Sequence, residues 1–220
     1  MKNIAIIANG EIHDYPATRA RLTDADFLIA CDGGLRHFAP MGLTPDILLG
    51  DFDSADAELV ASYKAQGIPT HSFPAEKDDT DLALAAAFAL ALAPTSIIIV
   101  GALGGRFDHA LGNLHVLGNL TAQNGDVPVE IWDEATSIKL AHPYSCCEIF
   151  LPFPRADYQT LSLFPLGTRV TGITTRGLKY PLENETLRVG ETRGTSNEFT
   201  AEVAEISVES GLLLVIRSKS

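Results

Sequence analysis

The sequence predicts an α/β N-terminal domain with a mostly parallel sheet, followed by an antiparallel β-sandwich C-terminal domain. Two observations carry this. In the first half, short runs that are apolar throughout alternate with helix-like segments, as buried parallel strands and their crossovers do. Beyond about Trp132 the texture changes to short segments with Thr, Val, Leu and Ile at alternate places, punctuated by Gly167, Gly172, Gly177, Gly190, Gly194 and Gly211. The boundary is placed near residue 135, dividing 1–135 from 136–220; no linker composition marks it.

Residues 4–8, 27–30, 47–49 and 97–101 supply the expected strands, rich in Ile and Leu. Residues 56–66, 81–93 and 109–124 are the expected helices, the last two separated by the β-branched run at 97–100. With 220 residues and 46% hydrophobic content, the chain is long and apolar enough to build its cores without staples. Cys31, Cys146 and Cys147 show no disulfide or zinc spacing and are expected to be reduced. A formal charge of −12 disfavours nucleic acid and anionic membranes as partners. The apolar run at 4–8 is too short for a signal peptide, and the Ala-rich run at 82–93 too short to span a bilayer. A soluble, cytoplasmic protein is expected.

Three acidic motifs fall at or just after expected strand ends: Asp32-Gly33-Gly34, Gly50-Asp51-Phe52-Asp53-Ser54 and Lys77-Asp78-Asp79-Thr80-Asp81. Ligands of open α/β sheets bind at the carboxyl ends of strands. In extended chain, Asp51 and Asp53 project to one side while Phe52 points into apolar packing, so the two carboxylates can share a cation. Asp78 and Asp81 read as an N-cap and its capping-box partner at the positive end of a helix, which is also a sufficient structural reason for both. If four carboxylates converge within about 5 Å, each pair costs roughly 3 kcal/mol at an effective dielectric near 20, so convergence implies a divalent cation. An all-oxygen set suits magnesium, with calcium open on ligand chemistry alone.

Gly101-Ala102-Leu103-Gly104-Gly105-Arg106-Phe107-Asp108 follows the strongest strand and leads into a helix, offering backbone amides and the Arg106 guanidinium to an anion. It lacks the ending of a Walker A loop, and a plain strand-to-helix turn explains its glycines equally well. The six histidines have no metal spacing; His109 alone stands beside a motif.

In this order, DGG, GDFDS, KDDTD, GGRFDH, GLKYPL and GTSNEF resemble the thiamine pyrophosphokinases, from about Asp32 to Phe199. The resemblance implies transfer of the pyrophosphoryl group of ATP to the hydroxyl of thiamine, giving AMP and thiamine diphosphate, with Mg2+, in a homodimer whose sites draw on both subunits. Carried over, Asp51, Asp53 and Asp81 look like metal ligands, with Asp78 assisting directly or through water. Asp32, Lys77, Asp78, Thr80 and Arg106 resemble ATP-binding residues; Arg106 and Asp108 also fall among the catalytic set with the three metal carboxylates, and Asp108 is the candidate base. Tyr180, Thr195, Ser196 and Asn197 resemble the thiamine-binding set, Tyr180 standing where some members carry a tryptophan. Residues 142–157 match nothing in the family pattern. The alternatives are a metal-dependent glycosyl- or nucleotidyltransferase, a non-catalytic nucleotide- or thiamine-binding module, and a purely structural chain.

Overall fold

The computed structural model describes residues 2–73, 78–143 and 150–219; Lys77, Cys146 and Cys147 lie outside them, as does part of 142–157. The chain divides into two units, Met1–Val116 with Val127–Glu134, and Leu117–Asp126 with Ala135–Ser220.

In the first unit the apolar runs become strands β1 (Asn3–Ile7), β2 (Phe27–Cys31), β3 (Ile47–Gly50), β4 (Thr70–Ser72), β5 (Ser96–Val100) and β6 (Val129–Trp132). They lie in the order β6-β5-β1-β2-β3-β4, and each pairing is parallel. From β1 the chain winds outward through β2, β3 and β4, then returns to place β5 on the other side of β1. That reversal opens a crevice at the carboxyl edge.

Helices α1 (Tyr15–Arg21), α2 (Phe38–Met41), α3 (Ala57–Ala65), α4 (Asp81–Ala91) and α5 (Phe107–Gln123) connect the strands. Alternation of side chains along each strand buries both faces of the sheet. Ala5, Ile7, Ala30, Leu48 and Val100 pack with Phe38 and Met41 of α2 and Val60 and Tyr63 of α3. The alternate residues Ile4, Ile6, Ile29, Leu49, Ile97 and Ile99 are buried as well. Helix α4, whose buried Leu82, Ala85, Ala86 and Ala89 follow helical spacing, packs against β1, β2 and β3.

The cap of α4 differs from the sequence expectation. Thr80, not Asp78, is the N-cap, its Oγ1 accepting from Ala83 N at 3.2 Å, and Asp81 occupies the first turn. A hydroxyl immediately before the helix reaches the third amide without the detour a cap at Asp78 needs. Cys31, the one cysteine among the described residues, is buried at the end of β2 and is not in a disulfide there.

The second unit is antiparallel. Strands β7 (Thr136–Ala141), β9 (Thr160–Pro165), β12 (Asn197–Glu198) and β14 (Leu213–Ser218) pair in the order β12-β9-β14-β7. Strands β8 (Leu151–Pro154), β10 (Arg169–Arg176), β11 (Glu185–Arg188) and β13 (Val203–Ser207) form a second sheet, β11-β10-β13-β8. Leu161, Leu163, Leu213 and Val215 of the first set meet Phe153, Val170, Ile173, Ala204 and Ile206 of the second in one core. That is the sandwich the period-two pattern predicts. Among the described residues no helix is long and apolar enough to cross a membrane.

Candidate functional site

The carboxyl edge of the parallel sheet gathers the acidic residues through backbone that few sequences permit. At the end of β2 the chain turns at Asp32, whose φ is +48°, and enters a 3-10 turn, Asp32–His37. Gly33 and Gly34 let this turn lie directly on β1. A Cβ at Gly34 would collide with the Ile7 carbonyl oxygen, and one at Gly33 with the Asn9 side chain. At the end of β3, Gly50 brings its Cα against the Asp32 backbone, where a Cβ would stand 3.0 Å from Asp32 Cα.

Asp51 and Asp53 do share a side, but not by strand alternation. Phe52 adopts φ +62°, so the chain turns between them, and the Asp53 amide donates to Asp51 Oδ1 at 3.2 Å. This is the Asx-type turn an aspartate offers to the amide two residues on, and it replaces the extended geometry expected from the sequence. The Phe52 ring packs among the apolar residues beneath, with the Lys64 ammonium 5.7 Å from its centroid. Asp51, Phe52, Lys64 and Ser72 contribute to the lining of a cleft of about 350 Å³.

One oxygen from each of Asp32, Asp51 and Asp53 lies within 4.8 Å of the others. The neighbouring Asp51 carboxylate pushes the Asp53 pKa up, with burial and then Asp32 adding to it. Like charges so placed favour a proton or a cation. Asp32 Oδ2 accepts from the Ser54 hydroxyl, while its Oδ1 is buried without a hydrogen-bond partner among the described residues. An oxygen-only donor set with a buried open acceptor fits a hard divalent cation such as Mg2+. Asp78 and Asp81 fall outside this group of three, and Asp32 stands in it.

Residues to which sequence reasoning gave no role belong here. Asn9, just past β1, donates from Nδ2 to Ser54 Oγ at 3.2 Å, and Ser54 continues to Asp32. The signal for Asn9 was its place: the first polar side chain after an apolar strand stands at the edge where ligands bind. Beneath it, Arg36 donates to the Asn9 carbonyl at 2.7 Å, and buried His37 contacts the Gly10 carbonyl through Nε2 at 2.8 Å and Tyr15 Oη through Nδ1 at 3.0 Å. The Gly10 carbonyl can only accept, which favours a proton on Nε2 with Nδ1 accepting from the tyrosine, although the Arg36 Nε also stands 3.3 Å from Nε2. Burial foremost, then the Arg36 charge, holds the His37 pKa below its ordinary value; the Gly10 hydrogen bond opposes them.

After β5 the glycine loop folds back on the β1 loop, the Gly10 amide donating to the Gly101 carbonyl at 2.6 Å. Asn113 of α5 holds the Ala102 carbonyl at 2.8 Å. Arg106 and Asp108, both exposed, form a two-pronged ion pair, Nη2–Oδ2 at 2.6 Å and Nε–Oδ1 at 3.2 Å. Hydrogen bonding to Arg106 holds the Asp108 carboxyl below the usual carboxylate range and Arg106 above its own. His109 is exposed.

In the second unit Tyr180 is 62% exposed, and the buried Asn197 fixes it: Oδ1 accepts from the Tyr180 amide at 3.0 Å, and Nδ2 donates to the Tyr180 carbonyl at 2.7 Å. Asn197 Oδ1 also accepts from Glu198 N at 3.0 Å, leaving a single N–H of its amide. Asn197 therefore supports Tyr180 and keeps one amide N–H open. Thr195 and Ser196 are exposed, Ser196 at φ +56° with its amide on Ser162 Oγ at 2.9 Å. Lys179 pairs with Glu198 at 2.9 Å and stands 5.6 Å from the Tyr180 ring centre. A polar cleft of about 690 Å³ is lined by Thr186, Arg188, Thr192 and Arg193 among others.

The family model for "Thiamin pyrophosphokinase, catalytic domain" matches residues 18–129, and that for "Thiamin pyrophosphokinase, vitamin B1 binding domain" matches residues 148–213. Thiamine pyrophosphokinase of Bacillus subtilis is 30% identical over 226 residues, covering 99% of each chain. Thiamine pyrophosphokinase 1 of Oryza sativa subsp. japonica is 30% identical over 182 residues, 80% of this chain and 67% of its own. The crystal structure of the Bacillus subtilis protein superposes with a TM-score of 0.86 at 28% identity over the whole of both chains. Yeast thiamin pyrophosphokinase gives 0.83 at 16% identity, over 99% of this chain and 86% of that one, a likeness of fold alone.

Proposed function

The chain belongs to the thiamine pyrophosphokinase family, and from that we propose that it is a Mg2+-dependent enzyme that moves the pyrophosphoryl group of ATP onto the hydroxyl of thiamine, releasing AMP. The observation that carries this reading is the meeting of Asp32, Asp51 and Asp53 within 4.8 Å at the carboxyl edge of the parallel sheet. Three carboxylates without a counter-ion would repel a nucleotide triphosphate; with a divalent cation they become its anchor.

The thiamine hydroxyl oxygen bonds to the β-phosphorus of ATP while the bond from that phosphorus to the bridging oxygen breaks. AMP leaves with the bridging oxygen, and the hydroxyl proton goes to solvent or a carboxylate. Asp32, Asp51 and Asp53 hold Mg2+, which when bound neutralises phosphate charge. Asp78, Asp81, Thr80 and Lys77 complete the polar surround of the triphosphate, with Asp81 acting from the first turn of α4. Arg106 steadies charge on the phosphates. Its ion pair makes Asp108 a weak base and a good guide for the guanidinium, so reaction relies on alignment and charge neutralisation more than on proton abstraction. Tyr180 offers a ring face to the thiazolium or the pyrimidine, with Thr195 and Ser196 as polar contacts and Asn197 as the ring's anchor. The same reading carries a cytoplasmic homodimer that binds ATP and thiamine but neither nucleic acid nor membrane.

Incubation with ATP, Mg2+ and thiamine, followed by chromatography of the nucleotides, tests it. AMP rising in step with thiamine diphosphate is the expected outcome, abolished by Asp51→Asn. ADP with thiamine monophosphate would replace pyrophosphoryl transfer by ordinary phosphorylation.

A further inference from the structure

We propose that Asn9 and Ser54 form a positioning relay that fixes which oxygen of Asp32 is offered to the cation; the inference rests on the metal reading above and deepens it. The argument begins with the single proton of the Ser54 hydroxyl. That proton is committed to Asp32 Oδ2, since a carboxylate oxygen can only accept. Ser54 Oγ must then act as acceptor toward Asn9, whose Nδ2 approaches it at 3.2 Å. This orients the Asn9 amide unambiguously, nitrogen toward Ser54 and oxygen away.

The two oxygens left by this arrangement, Asp32 Oδ1 and Asn9 Oδ1, are both buried and both without a hydrogen-bond partner among the described residues. Buried acceptors are normally satisfied, so two orphans at the two ends of one hydrogen-bonded chain point to something supplied from outside it. Asp32 belongs to the carboxylate group of three, and with its Oδ2 engaged by Ser54 the oxygen left open to a cation is Oδ1. The relay spans three strand ends, following β1, β2 and β3, and it needs Gly33, because any side chain there would occupy the place of the Asn9 amide. Asn9 acts only through Ser54, and Ser54 only through Asp32. Both are positioning residues.

The test uses Mn2+ as a spin probe on the full chain, with free and bound ion distinguished by electron paramagnetic resonance. Ser54→Ala and Asn9→Ala should each weaken Mn2+ binding by about tenfold, the effect typical of groups that orient metal ligands. Ser54→Thr, which keeps the hydroxyl, should restore it. The double variant should be no worse than Ser54→Ala, since the two residues act in series. Wild-type affinity in Ser54→Ala, or losses that multiply in the double variant, would overturn the relay while Asp51→Asn still abolished binding. Unchanged binding in Asp51→Asn would instead remove the metal reading, and the relay with it. Should Asn9→Ala fail to fold, Asn9→Ser, too short to reach Ser54, carries the same comparison.

Discussion

His37 shows how a single buried side chain sets a pH dependence that the surface charges do not. It is 2% exposed, and its pKa is lowered chiefly by burial. A group held below its unfolded value stabilises the fold fully above that value and loses the contribution as pH falls through the folded one. Thermal melts from pH 8 to 5 should therefore show wild-type stability declining below about pH 6.5, the ordinary histidine value. His37→Gln should decline less steeply over the same window. Asp53 has the opposite sign: its raised pKa makes its contribution grow as pH falls, in the lower, carboxylate range. An identical slope in both proteins would mean that other groups govern the acid limb. At this scale the sequence was legible wherever a residue's chemistry is intrinsic. The carboxylates of GDFDS announce themselves; Asn9 and His37 are ordinary until the fold puts Ser54 and Gly10 beside them.

Elements were legible in proportion to how far local rules decide them. Helices α3, α4 and α5 follow from periodicity, and α3 starts after Asp56, whose carboxylate accepts from the amides of Glu58 and Leu59. Helix α1 has a local start signal, Asp14 accepting from Ala17 N with a proline in the first turn, but at 7 residues it is too short for periodicity to reveal it. The 3-10 turn at Asp32–His37 had no such signal, because what forms it is the contact of Gly33 and Gly34 with β1. Thr80 gives the prediction at this scale. Thr80→Ala should cost about 1 kcal/mol in urea unfolding through loss of the α4 cap, and Thr80→Ser should recover most of it. Asp78→Ala should stay within roughly 0.5 kcal/mol. A larger loss at Asp78 than at Thr80 would return the cap to the place the sequence suggested.

For the molecule as a whole, the proposed function joined to a net charge of −12 predicts that nucleotide binding depends on a cation. ATP with Mg2+ at a hundred times its Kd should add about 2.7 kcal/mol of stability. For a chain of this size that corresponds to a rise in Tm of roughly 5–10 °C. ATP with a chelator should add far less, and equal shifts with and without Mg2+ would contradict charge neutralisation at the carboxylates. The change of texture near Trp132 made the two architectures readable. It could not show that Leu117–Asp126 belong with the second unit, since helical periodicity says which face is apolar and not what covers it.

The glycine pair after Asp32 has a further consequence. Gly33 and Gly34 are required by contact with Asn9 and the Ile7 backbone, whereas Asp32 answers to the proposed chemistry. Those demands separate over evolutionary drift. A descendant of this fold that lost its chemistry would be free to change Asp32, Asp51 and Asp53, yet selection for folding alone would keep the glycine at 34. A glycine retained at 34 beside vanished aspartates would be the mark of a lineage that kept the scaffold after the reaction had gone.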